Sequence, residues 1–155
     1  MNYLQINQCS TTDGDGVRVT LYVSGCTRHC PGCHNPASWN FNAGAKFTQD
    51  TIDYIIECLK PKYIAGLTVC GGEPMEPVNR PEVLALLQQV RKILPDKTIW
   101  LYTGYEIEEL VDPSAKAILD LVDVAIVGPY DQTKRDVSSN NLWRGSTNQR
   151  IIVLK

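Results

Sequence analysis

The clearest pattern in the chain lies at residues 17–24, where apolar Val17, Val19, Leu21 and Val23 alternate with Arg18, Thr20, Tyr22 and Ser24. A period of two marks a strand, and Gly25 ends it. Upstream, residues 3–8 read as a short extended segment, and Asp13-Gly14-Asp15-Gly16 reads as a hairpin turn whose glycines accept positive φ. A dinucleotide-binding loop would need a further glycine near position 19 and a helix behind it; Val19 stands there inside a strand, which excludes that reading. Residues 25–47 show no sustained period, and Pro31, Gly32, Pro36, Gly44 and several Asn mark a loop of the length that functional loops have.

Periodicity then returns in alternation. Thr48 caps a helix carrying Ile52, Ile55, Ile56 and Leu59 at helical spacing until Pro61 stops it. Residues 64–70 form a second strand that runs into Gly71-Gly72-Glu73-Pro74. Asn79-Arg80-Pro81 opens a second helix with Val83, Leu84, Leu87, Val90 and Leu94 on one face, ended by Pro95 and Asp96. Residues 98–102 form a third strand leading into Thr103-Gly104-Tyr105, and short helices follow at 106–111 and after Asp112-Pro113. Residues 122–127 form a fourth strand ending in Gly128-Pro129-Tyr130. Residues 131–141 are polar and expected to be mobile, and residues 151–154 close the chain as a last strand.

Strands alternating with helices predict an α/β fold, a mostly parallel sheet with right-handed crossovers, in one domain spanning residues 1–155. The strands are too few to close an eight-stranded barrel. Each unusual sequence falls at a strand's carboxyl end: the cysteine loop, Gly-Gly-Glu-Pro, Thr-Gly-Tyr and Gly-Pro-Tyr. Parallel α/β sheets build their sites along that rim, so the four predict one cleft.

Composition removes several partners. With 155 residues, 43% hydrophobic and 21% charged, the chain suits one core. A net charge of −2 with no basic run predicts no nucleic-acid partner. No apolar run approaches the ~20 residues of a membrane span, and Met1-Asn2-Tyr3-Leu4 does not read as a signal peptide, so no membrane and a cytoplasmic location are expected.

Three of the six cysteines, Cys26, Cys30 and Cys33, fall within eight residues at the end of the first alternating strand. Thiolates so crowded call for a soft metal centre or for disulfides. The spacing offers three ligands, and a cubane of four irons held by three would keep one open iron for a substrate or cofactor. A zinc site with His34, His29 or Cys9 as fourth ligand is the alternative. Cys9, Cys58 and Cys70 read as free or core thiols. The Gly71-Gly72 pair is either an ordinary strand-to-helix turn or a place where a ligand approaches backbone carbonyls able to accept from an ammonium group. Trp39 and Trp143 are expected in the core, facing a partner protein being the other reading. Arg144 and Gln149 are candidates for holding the last segment or a nucleoside.

On these motifs the chain resembles the radical S-adenosylmethionine (radical SAM) enzymes, and among them the activases of the anaerobic ribonucleoside-triphosphate reductase. The likeness runs from Asp13-Gly14-Asp15-Gly16-Val17-Arg18 through Cys26, Cys30 and Cys33 and Gly71-Gly72-Glu73-Pro74 to Trp143-Arg144-Gly145-Ser146-Thr147-Asn148-Gln149. It departs at Gly32, where many members carry an aromatic residue before the third cysteine. The resemblance implies an open partial (β/α) barrel of mostly parallel strands and a [4Fe-4S] cluster on Cys26, Cys30 and Cys33, with S-adenosylmethionine on the fourth iron. Gly71 and Gly72 would take the methionyl amine, Glu73 and Pro74 would hold that turn, and Gly32, Cys33 and His34 would lie near the adenosyl group. One electron would cleave the sulfonium to methionine and a 5′-deoxyadenosyl radical, with no side chain as catalytic acid, base or nucleophile. The implied partners are the large subunit of the reductase, which would receive a glycyl radical, and a reductant such as flavodoxin. The alternatives are an activase of another glycyl-radical enzyme, a small enzyme acting on a free metabolite, and a zinc or iron–sulfur binding module without turnover.

Overall fold

In the computed structural model, which describes residues 1–138 and 143–155, β1 (Asn2–Ser10) folds back antiparallel on β2 (Val17–Val23) through the Asp-Gly-Asp-Gly turn. Strands β4 (Ile64–Gly71), β5 (Thr98–Thr103) and β6 (Val124–Val127) then add one beside the other, each parallel to its neighbour starting from β2. The margins are antiparallel: β3 (Ala45–Lys46) lies outside β1, and β7 (Arg150–Val153) lies outside β6. The result is an α/β fold with one seven-stranded sheet in the order β3-β1-β2-β4-β5-β6-β7. The expected parallel arrangement holds for the four central strands β2, β4, β5 and β6, with a helix leading into each of the last three, while pairs joined by a tight turn or a short return are antiparallel.

Three helices connect these strands, each with a local reason to start. In α1 (Gln49–Leu59) the Thr48 N–H donates to Thr51 Oγ1 at 3.1 Å, and Ile52, Ile55, Ile56 and Leu59 are buried. α2 (Arg80–Ile93) has Pro81 in its first turn, where a missing N–H costs nothing, and buries Val83, Leu86, Leu87 and Val90. The buried stripe therefore runs through Leu86, and Leu84 and Leu94, expected on it, sit half-buried at its margins. α3 (Pro113–Leu119) is capped by Asp112, which accepts from the N–H groups of Ser114 at 3.1 Å and Ala115 at 3.2 Å. The helix expected at 106–111 is only a 3-10 turn at Ile107–Glu109, because Leu110 leaves helical geometry at ψ 55° and Asp112, preceding Pro113, is extended at ψ 157°.

The two faces of the sheet have different company. Val19, Leu21, Val23, Leu67, Val69, Ile99 and Leu101 pack with the helices into the hydrophobic core. The intervening residues of β2 are not solvated: Arg18, Thr20 and Ser24 are each 0% exposed. They belong to the opposite face, with Thr68, Cys70, Trp100 and Tyr102. Arg18 joins three strands there. Its Nε donates to Thr68 Oγ1 at 2.8 Å, one terminal nitrogen donates to Asp15 O and Thr98 Oγ1, and the other to Leu67 O and Thr98 O. All five donors of the guanidinium thus meet neutral acceptors, and burial lowers its pKa to about 10.

Of the stretch expected to be mobile, residues 131–138 hold a 3-10 turn at Gln132–Lys134 and a β-bridge between Arg135 and Ser146, while residues 139–141 lie outside the described residues. No helix among the described residues is long and apolar enough to cross a membrane.

Candidate functional site

The turns after β2, β4, β5 and β6 converge on one cavity of about 490 Å³, a size typical of small-molecule sites. Cys26, Cys30, Cys33, His34, Gly71, Gly72 and Glu73 all line it. Two residues expected at the site stand behind the wall: Gly32 and the buried Pro74.

Backbone bonds join the cysteine loop to the Gly-Gly-Glu-Pro turn. Gly72 N–H donates to Val23 O at 2.8 Å and Glu73 N–H to Gly25 O at 2.8 Å, while Gly25 and Cys26 donate to Ser38 O at 2.7 Å and Trp39 O at 3.3 Å. This close approach accounts for the glycine pair. Gly71 holds φ at 104°, and a Cβ on Gly72 would lie 2.7 Å from Gly25 O. Gly32 has a packing cause too: at φ 74° a Cβ there would sit 2.2 Å from Gln132 Oε1, so the segment after β6 occupies the room an aromatic side chain would need.

All six cysteines stand as free thiols. Cys33 N–H donates to Cys30 O at 3.1 Å, a tight turn that brings the last two thiols of the motif to one side of the cavity. Burial pushes the Cys26 thiol up, and the neighbouring carboxylates of Glu73 and Glu76 push the same way. Among the described residues no three His, Cys, Asp or Glu side chains close on a single metal ion; a four-iron cubane, with each ligand on a different iron, spreads its thiolates wider. Of the fourth ligands considered for zinc, His34 lines the cavity with its ring 4.8 Å from that of Tyr130. His29 instead stacks on Trp39 at 4.4 Å, and Cys9 is exposed on β1.

Glu73 is 1% exposed and carries three donors: Met75 N–H at 2.8 Å and Thr103 Oγ1–H at 2.7 Å on Oε1, and Gly104 N–H at 2.7 Å on Oε2. Burial raises its pKa to about 7 against the pull of those bonds. It therefore clips the end of β4 to the end of β5. Beside it the Arg28 guanidinium lies over the Tyr105 ring at 4.0 Å and pairs with Glu109 at 2.9 Å. Two buried donors on cavity-lining side chains have no partner, Arg28 Nε and Trp39 Nε1. Unpaired buried donors are costly and suit a ligand that brings acceptors.

The wall opposite comes from residues 143–149. Trp143 packs edge-on to Trp100 with ring centres 4.9 Å apart, and both Trp39 and Trp143 line the cavity, where a place in the core was expected. Gln149 receives Gly145 N–H at 2.8 Å and Ser146 N–H at 3.2 Å and donates to Gly128 O at 3.0 Å, so it holds the segment in place. Arg144 bonds to Asp136 at 2.9 Å and to the Thr147 and Gln149 carbonyls, also within the segment.

Sequence reading missed Arg28, Glu76, Cys70, Asp13, Tyr22 and Tyr102. Tyr22 carried a signal, since the non-core face of a strand that delivers a site is a natural wall. Its hydroxyl donates to Asp13 Oδ2 at 2.8 Å across the cavity floor.

Residues 12–152 match the family described as a 4Fe-4S single cluster domain. The chain is 44% identical over 153 residues to the anaerobic ribonucleoside-triphosphate reductase-activating protein of Haemophilus influenzae, covering 97% of each. The protein of the same name from Enterobacteria phage T4 is 41% identical over 151 residues, 97% of this chain and 93% of that one. The Escherichia coli K12 protein of that name is 40% identical over 153 residues, with 97% of each covered.

Proposed function

The chain belongs to the family of anaerobic ribonucleoside-triphosphate reductase-activating proteins, and from that premise we propose that it generates a glycyl radical on the anaerobic reductase by reductive cleavage of S-adenosylmethionine. The observation that carries the reading is the meeting of three free thiols, Cys26, Cys30 and Cys33, with the Gly71-Gly72-Glu73 turn around one cavity. In this reading residues 1–155 act as one radical SAM domain in the cytoplasm, and the open sheet, with Tyr22, Cys70 and Tyr102 lining the cavity, serves as a partial (β/α) barrel.

The residues fit the cofactors. The three thiols would hold a [4Fe-4S] cluster, and the carbonyls of Gly71 and Gly72 would accept from the methionyl ammonium of S-adenosylmethionine. The unpaired Arg28 Nε and Trp39 Nε1 offer donors for its acceptors, and His34 with Tyr130 provides an aromatic edge for its adenine. When bound and reduced, the cluster would supply the one electron that cleaves the sulfonium to methionine and a 5′-deoxyadenosyl radical, the species that would take hydrogen from a glycine α-carbon. The chain's own part is to orient and to exclude. Glu73 keeps the turn after β4 at a fixed distance from β5, Trp143 and Gln149 keep the far wall in place, and no side chain acts as acid, base or nucleophile.

One side of the cavity stays open. The reductase therefore inserts its glycine-bearing loop and completes the walls, and a reductant such as flavodoxin delivers the electron. The test is anaerobic incubation with iron, sulfide, S-adenosylmethionine and dithionite, with and without the reductase. The expected result is 5′-deoxyadenosine release together with a glycyl doublet in the electron paramagnetic resonance (EPR) spectrum of the reductase. A colourless zinc protein, or rapid turnover of a free small molecule with no protein radical, would sink the reading.

A further inference from the structure

Between the cysteine loop and the helix after Gly-Gly-Glu-Pro sits a second buried carboxylate to which the reading above gives no part. Glu76 is 5% exposed, and its Oε1 accepts both the N–H of Thr27 at 2.7 Å and the hydroxyl of Thr27 at 2.6 Å. Thr27 directly follows Cys26, so this carboxylate grips the loop within one residue of a thiol.

The base from which Glu76 reaches is itself rigid. Its own N–H donates to Glu73 O at 3.2 Å, and its carbonyl accepts from Asn79 N–H at 2.8 Å and Arg80 N–H at 3.2 Å. Asn79 Nδ2 donates to Ser24 O and Glu73 O, each at 3.0 Å, and Arg80 Nε donates to Met75 O at 2.8 Å. Residues 73–80 thus form a bonded block, and the Thr27 contacts are where that block touches the chain between the first and second thiols.

We infer that Glu76 is a positioning residue that locks the cysteine loop to the Gly-Gly-Glu-Pro block and, through its negative charge beside Cys26, lowers the reduction potential of the iron–sulfur cluster. The inference rests on the proposed function for its redox half, whereas the grip on Thr27 stands on geometry alone. The electrostatic half follows from charge: an added electron is resisted more strongly when an anion lies buried nearby. Glu73 fills that role less well, because burial raises its pKa to about 7 against the pull of its three donors and of Arg28, which favours its neutral form. Geometry and charge are separable in Glu76. An amide at this position keeps an oxygen for both Thr27 donors and removes the anion, whereas alanine removes both.

The experiment compares wild type, Glu76→Gln and Glu76→Ala in two measurements: EPR-monitored redox titration of the reconstituted cluster, and hydrogen exchange at the Thr27 amide in the cluster-free protein. Glu76→Gln is expected to keep wild-type iron content and Thr27 protection and to shift the potential to a less negative value. Glu76→Ala is expected to exchange the Thr27 amide about tenfold faster, the scale of one lost hydrogen bond. An unchanged potential in Glu76→Gln overturns the charge role, and unchanged Thr27 protection in Glu76→Ala overturns the positioning role. A wild-type protein that takes up no iron would instead sink the functional reading and, with it, the redox half only.

Discussion

A carboxyl group with three donors and almost no water is pulled in two directions, and in Glu73 burial wins, raising its pKa to about 7. The folded chain then holds a proton that an unfolded Glu, titrating near 4.5, has released. Between those two values the native state binds more protons, so this group's contribution to stability is greatest at the acid end and falls as pH rises through about 7. Urea unfolding of cluster-free protein between pH 5 and pH 8 should show that fall, and Glu73→Gln should flatten it. An equally steep profile in the variant would assign the slope to other groups. The glutamate of the Gly-Gly-Glu-Pro motif was legible as a turn-fixing residue; its bonds to Thr103 and Gly104 were not, because they cross from one strand end to another.

At the scale of elements, Arg18 shows why alternation alone misreads a strand. A polar residue between valines suggests a solvated face, yet this one is 0% exposed and bonded to β4 and β5. Replacing it with leucine takes the donor from the buried carbonyl of Leu67, while that of Thr98, at the exposed start of β5, can turn to water. At 1–3 kcal/mol for a buried group left unsatisfied, Arg18→Leu should cost about 2 kcal/mol in chemical denaturation. Arg18→Lys should recover little, since one ammonium cannot reproduce a planar fork with five donors. A loss below about 1 kcal/mol would mean that water or a shifted strand replaces the guanidinium. The helices behave more simply. Their starts at Thr48, Pro81 and Asp112 and their apolar faces follow local rules, and the one helix that shrank to a 3-10 turn is ended by the extended backbone that precedes Pro113.

Across the whole molecule, core and cavity use opposite faces of one sheet. The apolar residues of β2, β4 and β5 go to the helices, and the thiols stand on loops beyond the strand ends. Cluster and fold should therefore be separable. Cys26→Ala, Cys30→Ala and Cys33→Ala should each lose iron and cofactor cleavage while keeping the far-UV circular dichroism and denaturation midpoint of cluster-free wild type. Cys9→Ala and Cys58→Ala, whose thiols lie outside the cavity, should keep their iron. Iron lost from the Cys9 variant and kept by the Cys30 variant would reverse the ligand assignment.

The α/β order, the boundaries of α1, α2 and α3 and the gathering of the strand-end motifs into one cleft were written in the chain, because period, capping and strand-to-loop delivery are relations between residues close in sequence. So was the cysteine loop, three thiols within one turn and its approach. Only the tertiary structure decided which face of β2 became a cavity wall, that Trp39 and Trp143 line that cavity, that Gly32 makes room for Gln132, and that Glu76 grips Thr27. Each of these joins residues tens of positions apart, and no local periodicity carries information about a partner brought near only when the strands stack side by side.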